Sequence, residues 1–476
     1  MAYLEPRYTI PHRSTFSRKL IPELYNETQD KMKHSLKSVL HGSLTLDMWS
    51  SISKQDYMSL TFNSFTSEME RLEYCLEVIP FTFHHHAAGN ISSFLKTTLE
   101  SWEISQSKIH CVITDNAKNM ISGMKEARLD RAPCAAHTLQ LVVNNSVLKQ
   151  RNVHDMCSRA KKVVGHFHHS VLATKKLAEF QQQNSLPKNR LKQDEPTRWD
   201  STFFMLQRLF EQRKAVMYLL PELNLLVDLS SADWNLMEKV LPLLELFHRA
   251  TLAVSNSQTT ISEIIPIVNG LKMDLEQFSD ETVHASLHSI VKDVVHLLNE
   301  YYCNVETESN LFRFAKILDP RFKTSVFSEP GFAEQGRQAL LQELENVLPV
   351  DPTESKVLRL ATPSGPMSSV YSRLIAAKSN ASIENCVSVS ARQQLQKYLA
   401  EPLLPTDESP FLYWKSSEFK SLKKLAVKYL SPPAASVPSE RLFSTAGLIS
   451  SKNRSSLNPE KVRMLVFLNK NLQYFT

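Results

Sequence analysis

Apolar and polar positions alternate over Ser43–Trp49, with Leu44, Leu46 and Met48 on one side and Thr45, Asp47 and Trp49 on the other. That period of two is the mark of a strand with one face on a core. Two further β-rich runs follow at Tyr57–Phe65 and Leu72–Phe81, separated by polar or turn-forming residues. Connections this short predict an antiparallel meander, because parallel neighbours need a crossover of a dozen residues or more. The period then changes. Ile91, Phe94, Leu95, Leu99 and Trp102 recur at helical spacing over 88–102, with Asn90 as a candidate cap. An apolar run at 109–114 follows as a strand reached by a helical crossover. The order strand, strand, strand, helix, strand predicts an α/β layer around a mixed sheet.

From about 205 to 345 the pattern is helical, as at 230–247, where Trp234, Met237, Val240, Leu241, Leu244 and Phe247 form one apolar stripe. Ser230 or Ser231 is placed to cap that helix and Pro242 to kink it. Residues 346–390 are richer in Pro, Ser and Thr and read as a linker. Pattern returns with the aromatic stretch Phe411-Leu412-Tyr413-Trp414, then helices at about 417–430 and 438–447. A last helix has Asn458 as cap, Pro459 at its first position and Glu460 behind it. The expected organisation is a helical segment over 1–42, a first part of the α/β core over 43–204, a helical insertion over 205–394 and a C-terminal part over 395–476 that completes the core.

Composition narrows the class. At 476 residues, with 42% hydrophobic and 22% charged, the chain is a folded protein of two or three domains and not a disordered one. No apolar run approaches the ~20 residues of a membrane span, and Met1–Pro6 lacks a signal peptide's apolar core, so an intracellular protein with no membrane partner is expected. The six cysteines are scattered without a C-x-x-C pair, which predicts free thiols. A net charge of +6 is too small to argue for nucleic acid by itself. Residues 146–215 and 415–463 concentrate Lys and Arg, a distribution that fits either a nucleic-acid face or solvated helices.

The candidate chemistry is acidic. Ile109, Cys111 and Ile113 share a strand face with Asp115, which emerges where that strand ends; Asp47 stands near the end of the first strand and Glu440 near the start of a late helix. Carboxylates gathered in this way repel one another unless a hard divalent ion neutralises them. Two such ions about 3.5 to 4 Å apart serve phosphodiester cleavage and strand transfer. A turn residue, a helix cap and a helix-terminal charge would account for the same three residues from spacing alone. Cys134 and His137 form a C-x-x-H without a second pair, so no structural zinc is expected. His84, His85 and His86 are adjacent and point to alternating sides of any strand, which suits a solvated loop. His166, His168 and His169 lie in a basic helix, as DNA-facing or merely exposed residues.

Six segments occur in one order: Leu46-Asp47-Met48-Trp49, Thr114-Asp115-Asn116-Ala117-Lys118-Asn119-Met120, Cys134-Ala135-Ala136-His137, Arg198-Trp199-Asp200-Ser201-Thr202, Leu318-Asp319-Pro320-Arg321-Phe322 and Ser439-Glu440-Arg441-Leu442-Phe443-Ser444. Together they resemble the hAT superfamily of DNA transposases, nearest the vertebrate subgroup that normally carries an N-terminal BED zinc finger. The resemblance implies an RNase H-like mixed sheet interrupted by a large all-α insertion, with a C-terminal hAT dimerisation region. It implies that Asp47, Asp115 and Glu440 are catalytic residues that bind Mg²⁺ or Mn²⁺. It further implies that Trp49, His137, Arg198, Trp199 and Arg441 meet DNA, the two tryptophans by stacking on a flipped base. Phe411, Leu412, Tyr413 and Trp414 fall in the dimerisation stretch, where packing inside the chain is the alternative. The expected partners are DNA, a second copy and, as in domesticated members, chromatin proteins, and the expected address is nuclear. No C-x-x-C with a later His cluster precedes residue 40, so the finger is expected to be absent. The function expected is a transposase-derived nuclear protein that dimerises and binds DNA, with an active metal-dependent transposase as the alternative.

Overall fold

The computed structural model describes residues 12–50, 56–80, 87–195, 198–223, 229–280, 286–347, 390–449 and 457–475. The readings made for Met1–Pro6, for His84, His85 and His86, for Cys386 and for residues 348–389 of the linker lie outside them. The chain divides into two compact units. One comprises the residues up to Ala132, Thr260–Ile265 and the residues from Val305 onward; the other comprises Pro133–Thr259 and Pro266–Asn304.

The first unit is built on a five-stranded sheet of β1 (Gly42–Ser50), β2 (Asp56–Phe65), β3 (Arg71–Pro80), β4 (Ile109–Thr114) and β5 (Arg131–Pro133), in the order β3-β2-β1-β4-β5. The meander β1-β2-β3 is antiparallel, while β4 runs parallel to β1. Helix α2 (Ala88–Ser101) makes the crossover that this parallel pair requires. It starts earlier than Asn90 suggested: Ala87 is the N-cap and offers no side-chain bond.

One face of the sheet carries Leu44, Leu46, Met58, Leu60, Phe62 and Leu76. It is covered by α1 (Ile21–Ser38), α2 and α3 (Lys118–Ala127) through Met32, Leu36, Ile91, Leu95, Met120 and Met124. Gly42 opens β1 because the Phe62 ring fills the space a side chain would need; an added Cβ would sit 2.3 Å from Cζ of that ring.

The strict alternation expected for β4 is broken. The pairing with β1 shifts between Gly42 and Ser43, so that Ile109 faces Gly42 but Cys111 faces Ser43, with His110 as the extra residue. Such a bulge reverses the parity of the strand. Ile109 and Val112 therefore share the α1–α3 core, and Cys111 and Ile113 turn to the opposite face. The His110 ring bonds to the Gly42 carbonyl at 3.0 Å, and burial lowers its pKa to about 3.

The opposite face belongs to the C-terminal segment. Beyond Val305 the first unit continues with helices α12 (Asn310–Ile317), α13 (Pro330–Val347), α14 (Pro410–Ser416) and α15 (Lys420–Leu430), and then with α16 (Val437–Ile449) and α17 (Pro459–Asn471), which lay Leu442, Ala446, Val462 and Val466 on Tyr57, Cys75 and Val78. The exposed edge of β3 is closed by a side chain: the Asn471 amide donates to the Cys75 carbonyl and accepts from the Cys75 N–H, both at 2.9 Å. That satisfies a backbone pair an edge strand otherwise leaves open. Arg463 forks onto Glu77 at 2.6 and 2.7 Å, fixing α17 along the same edge.

The second unit is helical: α4 (Ala135–Asn145), α5 (Arg151–His169), α6 (Val171–Gln183), α7 (Trp199–Glu211), α8 (Arg213–Glu222) and α9 (Ser231–Val254), with most of α10 (Ile264–Asp280) and α11 (His288–Thr307). Helix α9 starts with a full capping box between Ser230 and Asp233 and continues through Pro242 to Val254. Arg159 adds an ion pair to Asp233 at 2.5 Å. Among the described residues no helix is long and apolar enough to cross a membrane.

Candidate active site

The reversed parity of β4 decides where its last residues point. Thr45 pairs with Ile113 in the parallel register, so continuing both strands by two residues sets Asp47 beside Asp115 on the face opposite the α1–α3 core. That face is polar along β1 and β2: Ser43, Thr45, Ser59, Thr61 and Asn63 are all buried on it. Thr45 bonds to Thr61 at 2.5 Å and to Ser439 at 2.9 Å, which ties the first turn of α16 to the middle of β1. Ser436, just ahead of α16, donates to Asp47 Oδ2 at 3.3 Å. Glu440 follows on that helix, one turn from Ser436.

Three segments far apart in sequence thus bring three half-buried carboxylates to one end of the sheet. Their effect on one another is visible at Asp47. Burial is the main reason its pKa is pushed up to about 7, and the negative charges of Glu440 and Asp115 add to the rise. The Met48 N–H, donating to Oδ1 at 2.8 Å, and the Ser436 hydroxyl offset part of it. Asp115 is held by its own turn, where Oδ1 accepts the Ala117 N–H at 3.1 Å.

Arg131 of β5, which sequence reading passed over, braces that turn. Its Nε donates to Thr114 Oγ1 at 2.7 Å, and its Nη2 donates to the Asp115 carbonyl at 2.5 Å and to Asn116 Oδ1 at 2.6 Å. A three-residue strand carries too little pattern to be seen in sequence. The carboxylate set suits a hard divalent cation by charge and by its all-oxygen donors. In their present spacing, no group of three His, Cys, Asp or Glu side chains among the described residues is close enough to hold an ion.

The remaining expected residues fall in different places. Trp49 is half-buried and stacks on Phe443 of α16, with centroids 5.7 Å apart at 20°. Arg441 is exposed beside Glu440. In the helical unit, Arg198 is the exposed N-cap of α7 and His137 is half-buried on α4. Trp199, by contrast, is only 4% exposed and packs edge-on to Phe247, so its ring serves the helical core. The segment around it is held by Asp194, whose Oδ1 accepts from Ser201 and Thr202 at 2.7 Å each and whose Oδ2 pairs with Lys161 at 2.8 Å.

Within the aromatic stretch, on α14 (Pro410–Ser416), Phe411 packs on Phe65 with centroids 4.6 Å apart, and buried Trp414 donates from Nε1 to the Leu318 carbonyl at 2.8 Å. Tyr413 donates to Glu401 at 2.5 Å, while Leu412 is 68% exposed. Sequence reading also gave no role to the Leu318-Asp319-Pro320-Arg321-Phe322 run. Asp319 is fully buried, accepts from Ser262 at 2.7 Å and takes a fork from Arg321 at 2.9 and 2.7 Å. The buried Lys323 side chain next to this run donates to the Tyr398 and Glu401 carbonyls at 2.6 and 2.7 Å. The turn is therefore the knot joining Thr260–Ile265 to the C-terminal segment inside the first unit.

Sequence comparison matches residues 45–138 to the ZBED1 RNase-like domain, residues 132–243 to the ZBED1 RNase-like helical domain and residues 394–472 to the hAT family C-terminal dimerisation region. The chain is a ZBED-like member of the hAT family. Its mixed sheet is accordingly the RNase-like fold of that family, and α14 to α17 lie in the dimerisation region. Zinc finger BED domain-containing protein 4 of Homo sapiens is 30% identical over 99% of this chain and 41% of its own length. Zinc finger BED domain-containing protein 6 of Mus musculus is 27% identical over 98% and 52%. A putative AC transposase of Zea mays is 22% identical over 97% of this chain and 60% of its own length. The ZBED-like chain thus spans about half the length of the curated relatives it matches.

Proposed function

We propose that this ZBED-like chain is a transposase-derived nuclear protein that pairs with a second copy through its C-terminal region and binds DNA. The match of residues 394–472 to the dimerisation region carries the reading. Leu412, exposed between the buried anchors Phe411 and Trp414, supplies an apolar contact for the second copy. Arg441 and Arg198 are exposed cations suited to phosphate. Half-buried Trp49 supplies an aromatic face beside Asp47. Chromatin proteins, which domesticated members engage, are the further partners on this reading.

Sedimentation velocity over a range of concentrations tests the pairing: a parent dimer that becomes monomeric in Leu412→Glu supports it, and a parent monomer at every concentration overturns it. Gel shifts with duplex DNA at 50 and 200 mM salt test the second half. Binding that weakens with salt and with Arg441→Ala supports the DNA contact.

One observation favours a second reading, an active metal-dependent transposase: Asp47 is raised to about 7 by burial and by Glu440 and Asp115 together. A Mg²⁺ or Mn²⁺ ion, when bound, would activate the attacking oxygen and stabilise the leaving one in DNA cleavage. Asp47, Asp115 and Glu440 would supply the oxygens, and Arg131 would hold the Asp115 turn in register. Calorimetry of Mn²⁺ with the parent and with Asp115→Asn tests the site. Saturable binding lost in the variant supports it, and no binding by the folded parent, with or without duplex DNA, removes the enzyme reading and leaves the first.

A further inference from the structure

At the end of the sheet away from the acids, where α1 leads into β1 and β2 turns toward β3, a cavity of about 610 Å³ opens in the first unit. Its apolar lining is Val39, Leu40, Phe65, Leu72 and Val427. Leu40 is 66% exposed at its mouth, and Phe65 is held from behind by Phe411. One wall is a face of α15 (Lys420–Leu430), where Lys420, Lys423, Lys424 and Val427 follow at helical spacing while Leu422, Leu425 and Ala426 are buried on the other side, and Ser35, Ser38, His41, Thr66 and Ser67 line the rest.

The position of these lysines runs against the helix they sit on. A helix N-terminus carries partial positive charge, so it favours acidic residues and disfavours cations. Helix α15 has Lys420 at its first position, Lys423 and Lys424 behind it, no acidic residue in its first turn and no side-chain cap. Among the described residues neither Lys420 nor Lys424 has an ion-pair partner, whereas Lys428 farther along is paired with Glu343 at 2.8 Å. Lys423 reaches the Lys415 carbonyl at 3.2 Å. Three of the wall hydroxyls are already engaged: Ser35 with Tyr74, Ser38 with the Ser35 carbonyl, and Thr66 as acceptor from the Glu68 and Glu70 N–H groups. The ammonium groups, together with His41, whose buried Nδ1 has no hydrogen-bond partner among the described residues, are polar features placed to meet a ligand. Local rules are broken chiefly at functional or strained sites.

We propose that this cavity binds a small anionic amphiphile, a molecule with a carboxylate or phosphate head and an apolar body. The head sits among Lys420, Lys423 and Lys424 and the body on Leu40, Phe65 and Val427. A volume near 610 Å³ falls within the range of small-molecule sites. Duplex DNA would touch the lysines at the rim and leave the apolar floor unused. The site stands independently of the DNA and metal readings, because it lies at the opposite end of the sheet from Asp47.

The test uses 8-anilinonaphthalene-1-sulfonate, an anionic aromatic probe, with the full chain. Saturable fluorescence at one site per chain is expected, displaced by dodecanoate, by dodecyl phosphate or by both, and the relative potency identifies the head group preferred. Lys420→Ala/Lys424→Ala should weaken the probe by about tenfold or more, the size of one lost charge-assisted contact. Leu40→Asp should weaken it as well. Lys162→Ala/Lys175→Ala, which removes the same charge from the helical unit, should leave it unchanged, with near-ultraviolet dichroism reporting that all variants are folded. Unaltered binding in both cavity variants overturns the proposal, as does displacement by a short DNA duplex but by neither alkyl anion.

Discussion

At the scale of single residues, Asp47 gives the most direct expectation. A carboxyl near 3.8 in the unfolded chain and near 7 in the folded one binds its proton more tightly when folded. Its favourable contribution is therefore complete below pH 4 and is lost as pH rises through 7. Urea unfolding of Asp47→Asn should show a chain about 1 to 3 kcal/mol more stable than the parent at pH 8, with the difference gone at pH 4. Carboxyl carbon NMR should place the parent's midpoint near 7 and move it down in Glu440→Gln, since one of the two repelling charges is gone. Asp47 was legible as a strand-end acid from alternation alone. Its company was not, because no spacing in one sequence says that Glu440 folds back onto the strand it leaves from Ser436. Only the ordered set of family segments pointed to that meeting. Arg131 left no signal, since a lone arginine in a three-residue strand looks like any surface cation.

At the scale of elements, the strands and the capped helices could be read because their causes are local. Alternation gave β1, and β-rich or apolar runs gave β2 to β4, within a residue or two; a cap at Ser230 or Ser231 gave the start of α9, which the structure fixes at Ser230, and Asn458 with Pro459 gave the start of α17. The bulge at His110 could not be read this way, because the extra residue is defined by its partner strand, and the face expected for Ile109 came out reversed. The same dependence on distant partners hid the knot around Asp319 and the edge closure by Asn471. Replacing Asn471 with Ala leaves the Cys75 N–H and carbonyl buried without their partner and should cost about 1 to 3 kcal/mol in chemical denaturation. Trp414→Phe removes the donor to the Leu318 carbonyl and should cost a similar amount, although the ring still fills most of its site. Gly42→Ala should destabilise as well, because Phe62 must move before the methyl fits.

At the scale of the whole molecule, the C-terminal family region has two demands on it. Phe411, Trp414 and Asn471 are given to the chain's own sheet unit, and exposed Leu412 is the residue that the proposed pairing assigns to a second copy. A pairing variant such as Leu412→Glu should therefore lose self-association while keeping its unfolding midpoint in urea at low protein concentration, whereas Trp414→Phe should lower that midpoint first. The return of α16 to β1 also sets the order of events during synthesis. Ser436 lies 389 residues beyond Asp47, roughly 20 to 80 s of translation at the usual 5–20 residues per second. For that interval the nascent meander carries Tyr57, Cys75 and Val78 bare and its outer strand unpaired. Polypeptides released before α16 and α17 have emerged keep both liabilities permanently, and premature termination in this stretch yields aggregating chains in place of a smaller working protein.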